Sequence, residues 1–156
     1  MDIKEYTENN INDISRLIDE IKTEDVENNE YDPDLKNIKH YQETYFNDQK
    51  NKTFLASYTD NIVGFIIGGE KDSETFEIYM HYVSKNYRKK GIAKKLEETI
   101  TEYARTHNYK EIHSDVLKTN TESIRLNINA GWDKQVFPEF YRFVKKLCKN
   151  EDTIAA

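Results

Sequence analysis

One stretch, Val83–Lys94, constrains the fold of this sequence most, because it joins two segments with different periodicities. The residues before it, 76–83, are dense in β-branched and aromatic side chains, which predicts a strand. The residues after it predict a helix with one face formed by Ile92, Leu96, Ile100, Tyr103 and His107. Gly91 lies at the junction, where the backbone can approach a ligand closely and the first helical N–H groups have no partner. This strand–turn–helix unit predicts a site for a phosphate group.

The charge around the turn supports an anion site. Residues 85–95 hold six bases and no acid: Lys85, Arg88, Lys89, Lys90, Lys94 and Lys95. The whole chain has 23 bases and 29 acids, so the remainder carries a net charge of −12. A confined basic spot on an acidic molecule favours a small anion over a nucleic acid, since nucleic-acid domains spread their bases over a face. A solvated basic turn that opens an ordinary helix is the alternative.

Two motifs at this turn and further along the chain carry a family resemblance. The turn reads Arg88-Lys89-Lys90-Gly91-Ile92-Ala93 after a strand ending at Val83, and it resembles the Arg/Gln-x-x-Gly-x-Gly/Ala signature of the GCN5-related N-acetyltransferases (GNAT). Residues 120–126 and 129–132 resemble the family's second signature, Asn-x-x-Ala-x-x-Leu-Tyr-x-x-x-Gly-Phe. Residues 140–147 resemble its last strand. The resemblance covers roughly residues 54–147.

The resemblance implies that the chain binds acetyl-CoA as a co-substrate and needs no metal. Main-chain groups of Val83 and Lys85 would contact the pantetheine arm in a gap between two splayed strands. The pyrophosphate would lie against the turn and its flanking bases. The expected contact residues are Arg88, Lys89, Lys90, Gly91, Ile92, Ala93 and Lys94. Asn120 would either bond the cofactor or cap the next helix.

Asn127 is also an expected cofactor contact, and it departs from the family pattern. It stands where the family often places a tyrosine whose hydroxyl protonates the departing thiolate. An amide cannot act as that acid. Either another donor, such as a tyrosine or water, therefore serves, or the thiolate of CoA leaves unassisted.

The strand at residues 75–83 carries the candidate catalytic residues. Simple alternation predicts one face with Phe76, Ile78, Met80 and Tyr82 and another with Glu77, Tyr79, His81 and Val83. The resemblance makes Glu77 the first candidate for the general base, because some family members hold a glutamate six residues before the position of Val83. His81 is the second, since its ordinary pKa of about 6.5 suits proton transfer, and Tyr79 is an expected substrate contact. The alternative is a set of hydrogen-bonded sheet residues with no catalytic role.

Periodicity along the chain predicts an α/β fold with a mixed, mostly antiparallel sheet of six to seven strands flanked by helices. Residues 53–58 and 62–69 predict a hairpin, and residues 111–117 predict a strand parallel to 75–83. A first strand at 1–6, a helix capped by Asn9 or Asn10, a weak helix at 34–47 and a last hairpin at 132–147 complete the pattern. We expect a single domain at 1–147 and a flexible tail at 148–156.

Composition and local charge limit where the protein can act, which cysteine chemistry it can use and which partners suit it. No apolar run is long enough for a membrane helix and the N-terminus lacks a signal peptide's apolar centre, so we expect a cytoplasmic protein. The single Cys148 excludes an internal disulfide and a Cys-rich metal site. Residues 19–34 contain eight acids and one lysine. They could form a solvated helix end and loop, or a loop that attracts a cationic amine. The tyrosines and the last hairpin would permit a homodimer.

The resemblance therefore implies an N-acetyltransferase that transfers acetyl from acetyl-CoA directly to a primary amine of a small molecule or peptide. Two alternatives belong to other classes. One is a non-catalytic acyl-CoA-binding regulatory protein, which Asn127 favours. The other is a nucleic-acid-binding module that uses the bases of residues 85–95, which the net charge of −6 disfavours.

Overall fold

The computed structural model describes residues 1–28 and 37–147. The predicted start of the weak helix at Asp34, the end of the acidic stretch and the predicted tail with Cys148 lie outside these ranges. The helices are α1 (Ile11–Glu27), α2 (Ile38–Tyr41, continued by a π-helical turn at Gln42–Phe46), α3 (Ile92–Thr106) and α4 (Thr121–Asn129). The strands are β1 (Asp2–Glu5), β2 (Asn51–Tyr58), β3 (Asn61–Glu70), β4 (Thr75–Val83), β5 (Glu111–Leu117), β6 (Asp133–Val136) and β7 (Phe140–Lys146).

The seven strands form one mixed sheet in the order β1-β2-β3-β4-β5-β7-β6. Five of the six pairings are antiparallel, including the predicted β2–β3 and β6–β7 hairpins. The sixth pairing, β4 with β5, is parallel, because α3 carries the chain back across the sheet between them. The predicted fold class is confirmed.

Helices cover both faces of the sheet. Alternate residues of β3 show this, since Phe65 and Ile67 pack with the α1 and α2 residues, whereas Ile66 packs with α3. On the α1 side the buried helical residues are Ile14, Leu17, Ile18 and Tyr41. On the α3 side they are Ile92, Leu96, Ile100 and Ala104. We call these the α1 face and the α3 face of the sheet.

A β-bulge in β4 makes the predicted division of its side chains wrong. The register pairs Ile67 with Met80 but Gly68 with Ile78, so Tyr79 is an extra residue without a partner on β3. Beyond the bulge the alternation is reversed. Met80 and Tyr82 pack on the α1 face, and His81 and Val83 consequently share the α3 face with Phe76 and Ile78.

Strands β4 and β5 separate halfway along their length. Their parallel pairing runs from Thr75 and Glu111 to Ile78 and Ser114 and stops there. β4 then continues for five residues to Val83 and β5 for three to Leu117, while β5 stays paired with β7 as far as Leu117. The result is a slot between the two strands, which opens toward the end of β4. We call it the β4–β5 slot.

Glu97 of α3 is a buried charge that the helical pattern did not predict, with only 5% of its surface exposed. Burial raises the pKa of its carboxyl from 4.5 to about 7, although the charge of Lys145 acts in the opposite direction. The folded chain therefore holds this proton more tightly than the unfolded chain. The contribution of Glu97 to the free energy of unfolding is therefore largest below pH 4.5 and is lost as the pH rises through about 7.

Replacing Glu97 with glutamine should remove this loss, because the amide has no charge to bury. We expect the variant to exceed the wild type by about 3 kcal/mol in free energy of unfolding at pH 8, and by far less at pH 5. Urea unfolding at the two pH values measures the difference. Glu98→Gln, at the neighbouring exposed position, should gain much less, because the Glu98 charge is only the smallest of the causes that shift the pKa of Glu97. An equal gain for both variants would contradict the assignment.

Candidate functional site

Residues 85–91 connect β4 to α3, and we call them the basic turn. They lead into a helix whose N-terminus has no side-chain cap among the described residues. Gly91 is the N-cap residue of α3 with φ of 80°, and no side chain caps the helix there. The first helical bond runs from Lys95 N–H to the Gly91 carbonyl at 3.1 Å, so the N–H groups of residues 92–94 have no acceptor within α3. Among residues 1–28 and 37–147, only the chain neighbours of Gly91 can lie within 4 Å of the place where a Cβ on it would stand. This geometry leaves donors and space for an anion.

Lysines of the basic turn and of the first turn of α3 lie next to this helix end. Lys85, Lys89, Lys90 and Lys94 are all exposed, and Lys89 is a non-glycine residue with φ of 63°. Lys89 and Gly91 both have a positive φ, which turns the chain sharply just before α3. Ile92, by contrast, is buried, so it can offer a ligand its main chain alone. The fold thus brings most of the predicted cofactor residues to one place.

Arg88 is the exception, because its guanidinium points away from the helix end. Its Nε donates to the Val83 carbonyl at 2.9 Å. Its Nη2 donates to both carboxylate oxygens of Glu24 on α1, at 2.9 and 2.7 Å. The guanidinium carbon also lies 5.5 Å from the centre of the Tyr82 ring. Arg88 therefore joins the basic turn to α1.

Main-chain groups of Val83 face the β4–β5 slot. Ser84 N–H donates to the Val63 carbonyl on β3 at 2.8 Å, and neighbouring residues of a strand direct their amides to opposite sides. The N–H and C=O of Val83 therefore point away from β3, toward the slot. Lys85 begins the turn beyond them.

Glu77 and Tyr79 lie on the α1 face, next to the point where the slot begins. Glu77 is half-buried and stands opposite Gly69 on β3 and His113 on β5. Burial raises the pKa of the Tyr79 phenol, and the Glu77 charge adds to this effect. The Tyr79 ring also lies 5.1 Å from that of Tyr45, which follows α2.

His81 lies on the opposite face of β4 from Glu77. Its Nε2 is buried without a hydrogen-bond partner within the described residues. Burial lowers the pKa of the imidazole to about 4, against a smaller opposite effect of the Ala93 backbone. The ring is therefore neutral near pH 7 and faces the helices rather than Glu77. The two candidate bases therefore lie on opposite faces of the sheet.

A family model for the acetyltransferase (GNAT) family matches residues 13–127, which is most of the chain. The chain belongs to the GNAT family. No curated protein sequence matches it significantly. Acetyl-CoA-dependent N-acetylation is general for GNAT proteins, so the family supports an acyltransferase that uses acetyl-CoA.

Solved GNAT structures share the whole fold at low sequence identity. An acetyltransferase of the family from Staphylococcus aureus is 21% identical with a TM-score of 0.77, over 94% of this chain and 99% of that chain. An acetyltransferase from Streptococcus agalactiae is 22% identical with a TM-score of 0.74, over 94% and 98%. A ribosomal-protein-alanine N-acetyltransferase from Brucella melitensis is 18% identical with a TM-score of 0.72, over 92% and 97%. At these identities the likeness establishes the fold alone.

The residues present fit the acyl-CoA that GNAT proteins use. The N–H groups at the start of α3 suit a diphosphate. The edge of β4 beyond Ile78, which pairs with no described strand on the β5 side, suits an amide-containing arm. Two side-chain atoms within the described residues are buried without partners, His81 Nε2 and Asn127 Oδ1. Such atoms are rare and cost about 1–3 kcal/mol each unless a ligand or water satisfies them.

The two asparagines of the second GNAT signature have different surroundings. Asn120 is exposed and its Oδ1 accepts from Ser123 N–H at 3.2 Å, so it caps α4 and has its amide nitrogen left for a ligand. Asn127 is only 2% exposed. A contact between Asn127 and the cofactor therefore stays a prediction. Asn10 occupies the predicted N-cap position of α1, but its Oδ1 accepts from the N–H and hydroxyl of Thr7 rather than from the first turn of the helix.

Sequence reasoning missed the polar cluster between α1 and the end of β4. The Ser84 hydroxyl donates to Glu20 at 2.6 Å, and the Tyr82 hydroxyl donates to Glu24 at 2.6 Å. Burial and the bond to Glu24 both raise the pKa of Tyr82. Glu20 and Glu24 are four residues apart and therefore lie on one face of α1. In the sequence they belong to the acidic stretch, whose many charges give no sign that these two act together. These acids also line an open groove of about 700 Å³ beside α1.

The described residues give no sign of a membrane helix or a metal centre. Within residues 1–28 and 37–147, no helix is long and apolar enough to cross a membrane. The same residues contain no group of His, Cys, Asp and Glu side chains that could hold a metal ion.

Proposed function

We propose that the chain is an N-acetyltransferase that transfers acetyl from acetyl-CoA directly to a primary amine of a small molecule or peptide. One observation carries the proposal: the β4–β5 slot opens beside the uncapped N-terminus of α3. A pantetheine arm and a diphosphate are joined in acetyl-CoA, and the slot and the helix end lie next to each other at the end of β4. GNAT membership supports the same assignment.

The chain's role toward the cofactor is to bind and orient it. The N–H groups of residues 92–94 would hold the diphosphate, with Lys89, Lys90 and Lys94 adding positive charge. Main-chain groups of Val83 and Lys85 would align the arm along β4. Acetyl-CoA supplies an acetyl group activated as a thioester. Holding that thioester and an amine at attack distance is the main contribution to the rate.

Glu77 would take the proton that the acceptor ammonium must lose. The amine nitrogen would then bond to the acetyl carbon as the carbon–sulfur bond breaks, and the electron pair would leave on sulfur. The second proton of the amine nitrogen would pass to that thiolate, directly or through water, to give the acetamide and the free thiol of CoA. Glu77 is half-buried on the α1 face, with Tyr79 beside it as a substrate contact. It therefore lies across the sheet from the α3 face, so the acceptor would approach from the α1 side.

A panel of primary amines, scored by release of free CoA thiol, tests the proposed reaction. The panel should include polyamines, aminoglycosides, lysine derivatives and peptides with free N-termini. We expect at least one amine to raise thiol release well above the rate with acetyl-CoA and water alone. Mass spectrometry of that product should show one added acetyl group on nitrogen.

A non-catalytic acyl-CoA-binding protein is a second candidate, favoured by Asn127. The position where many GNAT proteins have a tyrosine here holds a buried amide that cannot protonate a thiolate. This candidate predicts acetyl-CoA binding with no thiol release from any amine in the panel. Release of free CoA thiol with the amine panel therefore distinguishes the two functions.

A further inference from the structure

Arg88 binds two groups beside the proposed cofactor site, the Val83 carbonyl and the Glu24 carboxylate. Its Nε occupies the Val83 carbonyl, which faces the β4–β5 slot. Its Nη2 binds both oxygens of Glu24, and the two side chains are 31% and 20% exposed. The positive charge of a turn residue is thus neutralised by an acid on α1, 64 residues away.

This arrangement competes with the ligand chemistry of the site. An amide-containing arm in the slot would use the Val83 carbonyl, and a diphosphate beside the turn would attract the guanidinium. Arginine binds phosphate through the same planar fork that it here presents to a carboxylate. Each of these contacts with a ligand requires Arg88 to give up a bond within the chain.

We propose that Glu24 is a positioning residue of the cofactor site that sets acyl-CoA affinity through Arg88. Glu24 holds the guanidinium on α1 and on the Val83 carbonyl, and acyl-CoA binding moves it from Glu24 to the diphosphate. The inference rests on the proposed binding of acetyl-CoA at the basic turn. It adds that an acid on α1, outside both family signatures, opposes that binding.

Replacing Glu24 with glutamine should therefore tighten CoA binding. Glutamine can still accept the Tyr82 hydroxyl, but it loses the charge that holds Arg88. A charge-assisted hydrogen bond contributes more than a neutral one, and we expect about a 10-fold lower Kd for CoA. Isothermal titration with CoA measures the change. A variant that is merely damaged would bind more weakly, so the direction of the change is itself diagnostic.

Glu20→Gln is the matched control for charge. Glu20 lies one helical turn before Glu24 and bonds Ser84 and Tyr82, but it makes no contact with Arg88. Glu20 is paired with Arg16 at 3.2 Å, so Glu20→Gln removes one negative charge from the same helix face without freeing the guanidinium of Arg88. We expect its effect on the CoA Kd to stay within about twofold, since these charges are screened over a Debye length.

The double variant separates an effect through Arg88 from any other. In an Arg88→Gln background Glu24 has no guanidinium to hold, so Glu24→Gln should leave the Kd unchanged. A 10-fold gain that persists in that background, or a gain equal to that of Glu20→Gln, would overturn the inference. So would unchanged or weaker binding by Glu24→Gln. If the wild type itself fails to bind CoA, the proposed function fails and the inference fails with it.

Discussion

Replacing Gly91 with alanine should weaken acetyl-CoA binding about 100-fold. The residue has φ of +80°, and no other described residue beyond its chain neighbours lies within 4 Å of its Cβ position. We expect the new methyl group at this open position to crowd a diphosphate held by the first amides of α3. A diphosphate pushed away from two of these donors loses hydrogen bonds worth about 1.5 kcal/mol each. Calorimetric titration with acetyl-CoA measures the loss.

Gly131→Ala is the matched control for backbone strain. Gly131 has φ of +81° and equally open surroundings, but it follows α4 and lies outside the basic turn. Alanine in the left-handed region should cost each variant about 1 kcal/mol of stability. We expect the two variants to unfold at similar temperatures and only Gly91→Ala to lose affinity. Equal loss of affinity in both would mean that destabilisation, rather than the phosphate site, explains the result.

Replacing Glu77 with glutamine should lower kcat about 100-fold or more while leaving the acetyl-CoA Kd within about twofold. The amide cannot accept the ammonium proton, and a positioned general base contributes at least this factor. The variant should recover part of its rate as the pH rises, because more of the amine is then already deprotonated. Thiol release at saturating amine, measured across pH, gives both quantities.

Glu111→Gln is the control for Glu77. Glu111 is half-buried and stands on the neighbouring strand β5, opposite Thr75 at the far end of the β4–β5 pairing. We expect it to keep nearly full turnover. A Glu77→Gln variant that retains more than half of the wild-type kcat would show that Glu77 is not the base.

Local patterns in the sequence predict most of the fold and the cofactor side of the site. The periodicity changes from two to 3.6 at Val83, and the chain turns there as expected, with Gly91 in the left-handed conformation. The short β2–β3 joint produces a hairpin, and the helix between β4 and β5 makes them parallel. These features depend on residues close together in the chain, which is why they can be read from it.

The features that the sequence did not predict depend on distant contacts. The bulge at Tyr79 lies opposite Gly68, where a Cβ would stand 2.5 Å from the Phe76 ring. No run of alternating residues reveals such a bulge, so His81 was placed on the wrong face. The Arg88–Glu24 pair joins residues 64 positions apart. Glu97 looks like a solvated helix residue until its neighbours are known.

Titration of acetyl-CoA into the wild-type chain, followed by calorimetry, tests most directly whether the basic turn and the β4–β5 slot form a cofactor site. We expect saturable heat at about one acetyl-CoA per chain, and none from adenosine, which lacks both the diphosphate and the arm. No detectable heat from acetyl-CoA at concentrations up to about 1 mM would contradict the account.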